Sequence, residues 1–193
     1  MNIPAQTRVG MPMDEFIRLY DEAPFELIDG ERILLMPPVA RHALTTKRLY
    51  DAFMRFDPNY KLGMFFTESV FTLTDTPGWV RGSRVPDVMF YAAERWNNYT
   101  ESTPDWEDKP FVLIPDICVE VISANDKYSD VIEKIERYLD DGVRLVLLLD
   151  PPHRIITIYR SGSNQTMRLN DSDILDLTDL LPDFSIPVRD IFG

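Results

Sequence analysis

Residues 143–150, VRLVLLLD, restrict the fold more than any other stretch of the chain. The apolar run Leu145, Val146, Leu147, Leu148, Leu149 lacks the polar alternation of a half-solvated strand. A strand of this kind is covered on both faces, and layered α/β folds provide that cover. The preceding segment, SDVIEKIERYLDDGV, predicts one covering helix. Val131, Ile132, Ile135, Tyr138 and Leu139 form an apolar stripe at helical spacing. Ser129 or Asp130 can cap its start, Glu133 completes a capping box with Asp130, and Gly142 suits the left-handed position past its end.

Upstream, PMDEFIRLYDEA reads as a short helix and FELIDGERILLM as a hairpin turning at Asp29-Gly30, a pair suited to a type I′ turn. VARHALTTKRLYDAFMRF has mainly helical spacing. FFTESVFTL, VPDVMFY and DICVEVI read as strands, with Pro77-Gly78 and Gly82 between the first two and the polar, aromatic loop WNNYTESTPDWEDKP before the third. Pro151-Pro152-His153 turns the chain into RIITIYR, with His153 facing solvent. The order helix, three strands, helix, strand predicts an α/β fold with a mixed central sheet and an added N-terminal hairpin. The chain has 193 residues, 45% of them apolar, and no repeat or linker, so a single domain over 1–193 is expected.

No run approaches the length of apolar sequence that a membrane span needs, and the N-terminus carries no basic segment followed by an apolar one. The single cysteine, Cys118, lies in an apolar strand and reads as a packing thiol in a reducing, cytoplasmic setting. The net charge of −12 argues against an extended phosphate-contacting surface. The charge is uneven: residues 41–61 carry +3, whereas 170–193 carry −5 as a solvated acidic tail.

Glu120 interrupts the apolar strand ICVEVI, on the face of Cys118 and Ile122. A carboxylate there either reaches water at a strand end or has a cationic partner. Asp87 holds an equivalent place in VPDVMFY. Two acids on neighbouring strands repel unless a cation lies between them, and Mg²⁺ accepts one or two carboxylates while keeping waters. Lys134 sits at the boundary of its helix's apolar stripe, where the stem can pack and the ammonium reach past the sheet.

Together these segments resemble the PD-(D/E)XK restriction-endonuclease-like superfamily, in particular its Uma-type branch. ELIDGERILLMPPVARH, RVPDVMFY, PDICVEVIS, EKIERYLDDGVRLVLLLDP and LLPDFSIPVRDIF resemble that branch in the same order. Asp87 resembles the motif's aspartate and Glu120 its second acid. Ile122 occupies the usual lysine position, and Lys134, on the following helix, resembles the branch's displaced lysine. His42 and Glu26 resemble two auxiliary polar positions; Ser123 and Tyr138 resemble further branch positions. The resemblance implies a restriction-endonuclease-like core and a bacterial Mg²⁺-dependent DNA endonuclease, with Mn²⁺ as a substitute ion. Asp87, Glu120 and the backbone carbonyl of Val121 would hold the metal, and Lys134 would orient water or stabilise developing charge. Lys47, Arg48, Arg81 and Arg84 are the candidate phosphate contacts, and a homodimer would ease cutting of both strands. Two other readings stay open: a nuclease-like fold kept as a binding or assembly module, and a hydrolase of another phosphorylated substrate.

Overall fold

A computed structural model describes residues 8–76, 78–123 and 126–193. From the N-terminal side come β1 (Met11–Pro12), α1 (Met13–Glu22) and the hairpin of β2 (Phe25–Ile28) and β3 (Glu31–Leu34). Next are α2 (Ala40–Phe56), β4 (Gly63–Thr67), β5 (Phe71–Thr76), β6 (Trp79–Arg84) and β7 (Val88–Ala92). Then follow α3 (Ala93–Ser102), β8 (Ile117–Val121), α4 (Tyr128–Asp141), β9 (Leu145–Asp150) and β10 (Ile155–Arg160). The last elements are β11 (Met167–Leu169), β12 (Ile174–Asp176), β13 (Ser185–Pro187) and α5 (Val188–Phe192).

These elements form two compact units. The first comprises Met1–Met36, Val70–Val85 and Asp105–Leu113; the second comprises Pro37–Ser69, Pro86–Pro104 and Ile114–Gly193. In the first, β1, β6 and β5 form a three-stranded sheet in that order, accompanied by α1 and the β2–β3 hairpin. Met13, Phe16, Phe25, Leu27 and Val80 make its core. Asp29 and Gly30 both have positive φ, 51° and 87°, as the type I′ turn requires.

The second unit is built on a six-stranded sheet ordered β11-β10-β9-β8-β7-β4. Only the β8–β9 pair is parallel, and α4 makes the crossover between them. Cover on both faces of β9 is real: Leu145, Val146, Leu147 and Leu149 are 0% exposed and Leu148 is 5%. Ile117, Val119 and Val121 pack with Leu49 and Phe53 of α2 and with α5. Glu120, whose side chain points the other way, meets α4. Thus α2 and α4 cover opposite faces of the sheet, because side chains alternate along a strand. Gly142 has φ 108°, and the N–H groups of Gly142 and Val143 bond Leu139 and Tyr138 to close α4.

Several local expectations are corrected. FFTESVFTL is two strands, β4 and β5, assigned to different units, with Glu68 between them at φ 47°. The expected loop WNNYTESTPDWEDKP instead holds most of α3 and a 3₁₀ turn at Trp106–Asp108. Trp96 and Tyr99 stand three residues apart there, and Trp96 packs 5.7 Å from the Tyr91 ring, which gives an otherwise polar helix a buried side. α4 starts at Tyr128 behind Lys127 with no side-chain cap; Ser129 bonds Asp130 and Glu133 pairs with Arg137. Asp87 precedes β7 instead of lying inside it. His153 is exposed as expected but pairs with Asp150 at 2.9 Å. Pro77 of the expected Pro-Gly turn lies outside the described residues. No helix among the described residues is long and apolar enough to cross a membrane.

Candidate active site

β7 and β8 run antiparallel with Val88 opposite Val119, which sets Asp87 beside Glu120 at the C-terminal end of β8. The Asp87 N–H donates to the Val119 carbonyl at 3.0 Å. In return, the Val121 N–H donates to Asp87 Oδ2 at 2.6 Å. This exchange fixes the aspartate across the mouth of the strand pair. An extended residue turns both its backbone groups to the same side, so the Val121 carbonyl also faces the Asp87 side.

Each acid is held by a different helix. From α2, His42 Nε2 lies 3.0 Å from Asp87 Oδ2, with the two side chains only 10% and 15% exposed. From α4, Tyr138 donates its hydroxyl to Glu120 Oε1 at 2.5 Å, and Lys134 Nζ lies 3.1 Å from Oε2. Lys134 and Tyr138 are four apart on one helix face, and the ammonium sits 5.9 Å from the tyrosine ring centroid. Burial by itself lowers the His42 pKa. The hydrogen bond to Asp87 and the charges of Asp87, Glu120 and Asp126 outweigh that effect and hold the imidazole above its ordinary 6.5. His42 Nδ1 is buried without a partner among the described residues, so Nε2 is the nitrogen that addresses the acid.

The donor set suits a hard cation. Both bonds to Asp87 fall on Oδ2, which leaves Oδ1 for an ion, and Glu120 and the Val121 carbonyl add further oxygens. Among the described residues no three His, Cys, Asp or Glu side chains are grouped to hold a metal. An ion here would depend on water or substrate for most of its coordination, which Mg²⁺ tolerates and a structural zinc does not.

The structure thus brings Asp87, Glu120, Lys134, His42 and Val121 together. Glu26 folds into the first unit, where its buried carboxylate accepts the Val85 N–H at 2.8 Å. The candidate phosphate contacts divide. Lys47 pairs with Asp51 at 2.7 Å and Arg81 with Asp75 at 3.1 Å. Arg84 is 7% exposed and spends its guanidinium on the Leu27 and Ser83 carbonyls, which corrects its placement among surface cations. Arg48 remains exposed on α2. Tyr138, which resembles a branch position and belongs to the apolar stripe, joins the site four residues from Lys134. Asp126, which bonds the Ser123 N–H at 2.7 Å and bears on His42, is the participant that the sequence did not signal.

A family model described as Uma2, putative restriction endonuclease, matches residues 13–189. The fold is similar to the crystal structure of a putative nuclease belonging to DUF820 from Anabaena variabilis ATCC 29413. That likeness has a TM-score of 0.75 and 21% sequence identity, and covers 94% of this chain and 97% of the other. No curated protein matches the sequence.

Proposed function

This chain belongs to the Uma2 family of putative restriction endonucleases, and we propose that it hydrolyses phosphodiester bonds in DNA with a divalent cation held by Asp87, Glu120 and the Val121 carbonyl. What supports the reading is the meeting of Asp87, just ahead of β7, and Glu120 of β8 with His42 from one covering helix and Lys134 from the other. A cation bound there polarises a phosphate oxygen and makes nearby water more acidic. The protein's own groups set the geometry. Val121 N–H and His42 hold Asp87 Oδ2, so its second oxygen would be the one to take an ion. Tyr138 fixes the Glu120 carboxylate in one orientation. Lys134, paired with Glu120 at 3.1 Å, would orient the attacking water or meet negative charge as it develops on the phosphate. No side-chain nucleophile is required.

The test is supercoiled plasmid with Mg²⁺ or Mn²⁺, using the parent beside Asp87→Asn, Glu120→Gln and Lys134→Ala. Nicking by the parent that the acid variants lose supports hydrolysis at this site. Equal nicking by all four rejects it. Silence from a folded parent that binds Mn²⁺ turns the reading toward a binding or assembly module.

A further inference from the structure

Beside His42, α2 carries a second polar feature that the hydrolytic site does not use. Arg41, Leu44, Thr45 and Arg48 recur at i, i+3, i+4 and i+7 and share one helix face. That face, together with Arg154 and Phe192, lines a cavity of about 460 Å³. Pro151 and Pro152 complete the wall. Pockets that enclose small organic groups span about 300–1,000 Å³, so one nucleotide fits.

The charges around this cavity are unequal. Arg154 pairs with Asp171 at 2.7 Å and also bonds a Gly193 oxygen at 2.9 Å. Asp150, next to Pro151, is engaged by His153. Among the described residues Arg48 donates to a neutral group, the Phe192 carbonyl, at 2.6 Å, and its guanidinium packs against Gly193. Arg41 is exposed and has no ion pair among the described residues. Two arginines with no side-chain carboxylate partner among the described residues therefore face one cavity, in a chain whose net charge is −12. The neighbouring Lys47 is already matched by Asp51.

We propose that this cavity is a phosphate subsite for the polynucleotide strand, taking a backbone phosphate near the one that is cut. The inference rests on the hydrolytic reading above. Arg41 and Arg48 present guanidinium forks to the phosphate oxygens, a geometry that favours bidentate contact. Leu44 and Pro152 offer apolar surface to the sugar. Arg41 directly precedes His42 and Thr45 follows it by three residues, so the subsite begins within about one helical turn, 5.4 Å of rise, of the residue that holds Asp87. Successive phosphates advance about 3.4 Å along a strand, so contact one to three nucleotides from the cut is in reach.

The experiment measures anisotropy of labelled 20-nucleotide duplex and single-stranded DNA in chelator, where no cleavage occurs, over a range of salt. Arg41→Glu, which breaks no side-chain bond among the described residues, is compared with Arg55→Glu, which makes the same charge change at an exposed position in the last turn of the same helix. Arg41→Glu is expected to weaken binding roughly tenfold or more at low salt and to lower the salt slope by about 0.9, the loss of one phosphate contact. Arg55→Glu is expected to weaken it less than threefold. Arg41→Lys should restore the salt slope but only part of the affinity, since an ammonium keeps the charge and loses the fork. Equal losses in both glutamate variants reduce the effect to general charge and overturn the subsite, as does a parent that binds neither DNA. The plasmid assay separates the two ideas. Asp87-dependent nicking with normal binding by Arg41→Glu overturns the subsite alone; selective binding loss without nicking by the parent overturns hydrolysis alone.

Discussion

His42 Nε2 stands 3.0 Å from Asp87 Oδ2, tying the helix on one face of the sheet to an acid set by the strands. The pair is nearly enclosed, so its protonation is coupled to folding. Burial opposes the charged imidazole, but Asp87, Glu120 and Asp126 outweigh burial and raise the folded pKa above 6.5. A raised folded value means the charged pair adds its full stability below the unfolded pKa, and loses it as pH climbs through the folded one. In chelator, Asp87→Asn should therefore cost about 1.5–3 kcal/mol at pH 5.5, the range for a hydrogen bond to a charged group, and clearly less at pH 8.5. Urea midpoints at the two pH values check this. The protein has two histidines, so NMR can follow both; a His42 midpoint that stays put in Asp87→Asn would contradict the pairing.

Tyr138→Phe keeps the buried ring and removes only the hydroxyl that donates to Glu120 at 2.5 Å. The carboxylate then lacks one buried donor, and stability should fall by about 1–3 kcal/mol. Plasmid nicking should fall less than in Glu120→Gln, because the carboxylate itself remains. A variant as stable as the parent would mean that the bond contributes nothing net.

Mn²⁺ should raise the melting temperature of the parent. At a free concentration one hundredfold above Kd, a ligand of the folded state adds about 2.7 kcal/mol. Asp87→Asn should lose most of this gain, and so should Glu120→Gln. A shift of the same size in all three proteins would place the ion elsewhere.

Leu147→Ala removes a side chain that is 0% exposed at the centre of β9, between β8 and β10. A cost of about 2–5 kcal/mol is expected in chemical denaturation. Met167→Ala, on the exposed edge strand β11, should stay within about 0.5 kcal/mol of the parent. Similar losses at both positions would contradict the layered arrangement.

The features legible in the sequence were those fixed by neighbours along the chain. Asp29-Gly30 specified its turn because both residues must take positive φ. Leu145 to Leu149 announced a strand covered on both faces, and Gly142 marked the end of α4. Glu120 inside one apolar segment and Asp87 at the head of another advertised a site, since carboxylates so placed need partners. Tertiary structure alone decided which partners. Nothing local tells that Arg84 is buried while Arg48 is exposed, or that FFTESVFTL divides between two sheets. Nor could spacing along the chain bring His42 to Asp87, 45 residues on, or Tyr138 to Glu120. Those meetings depend on strand register and on which helix covers which face, and both are set by burying the whole core at once.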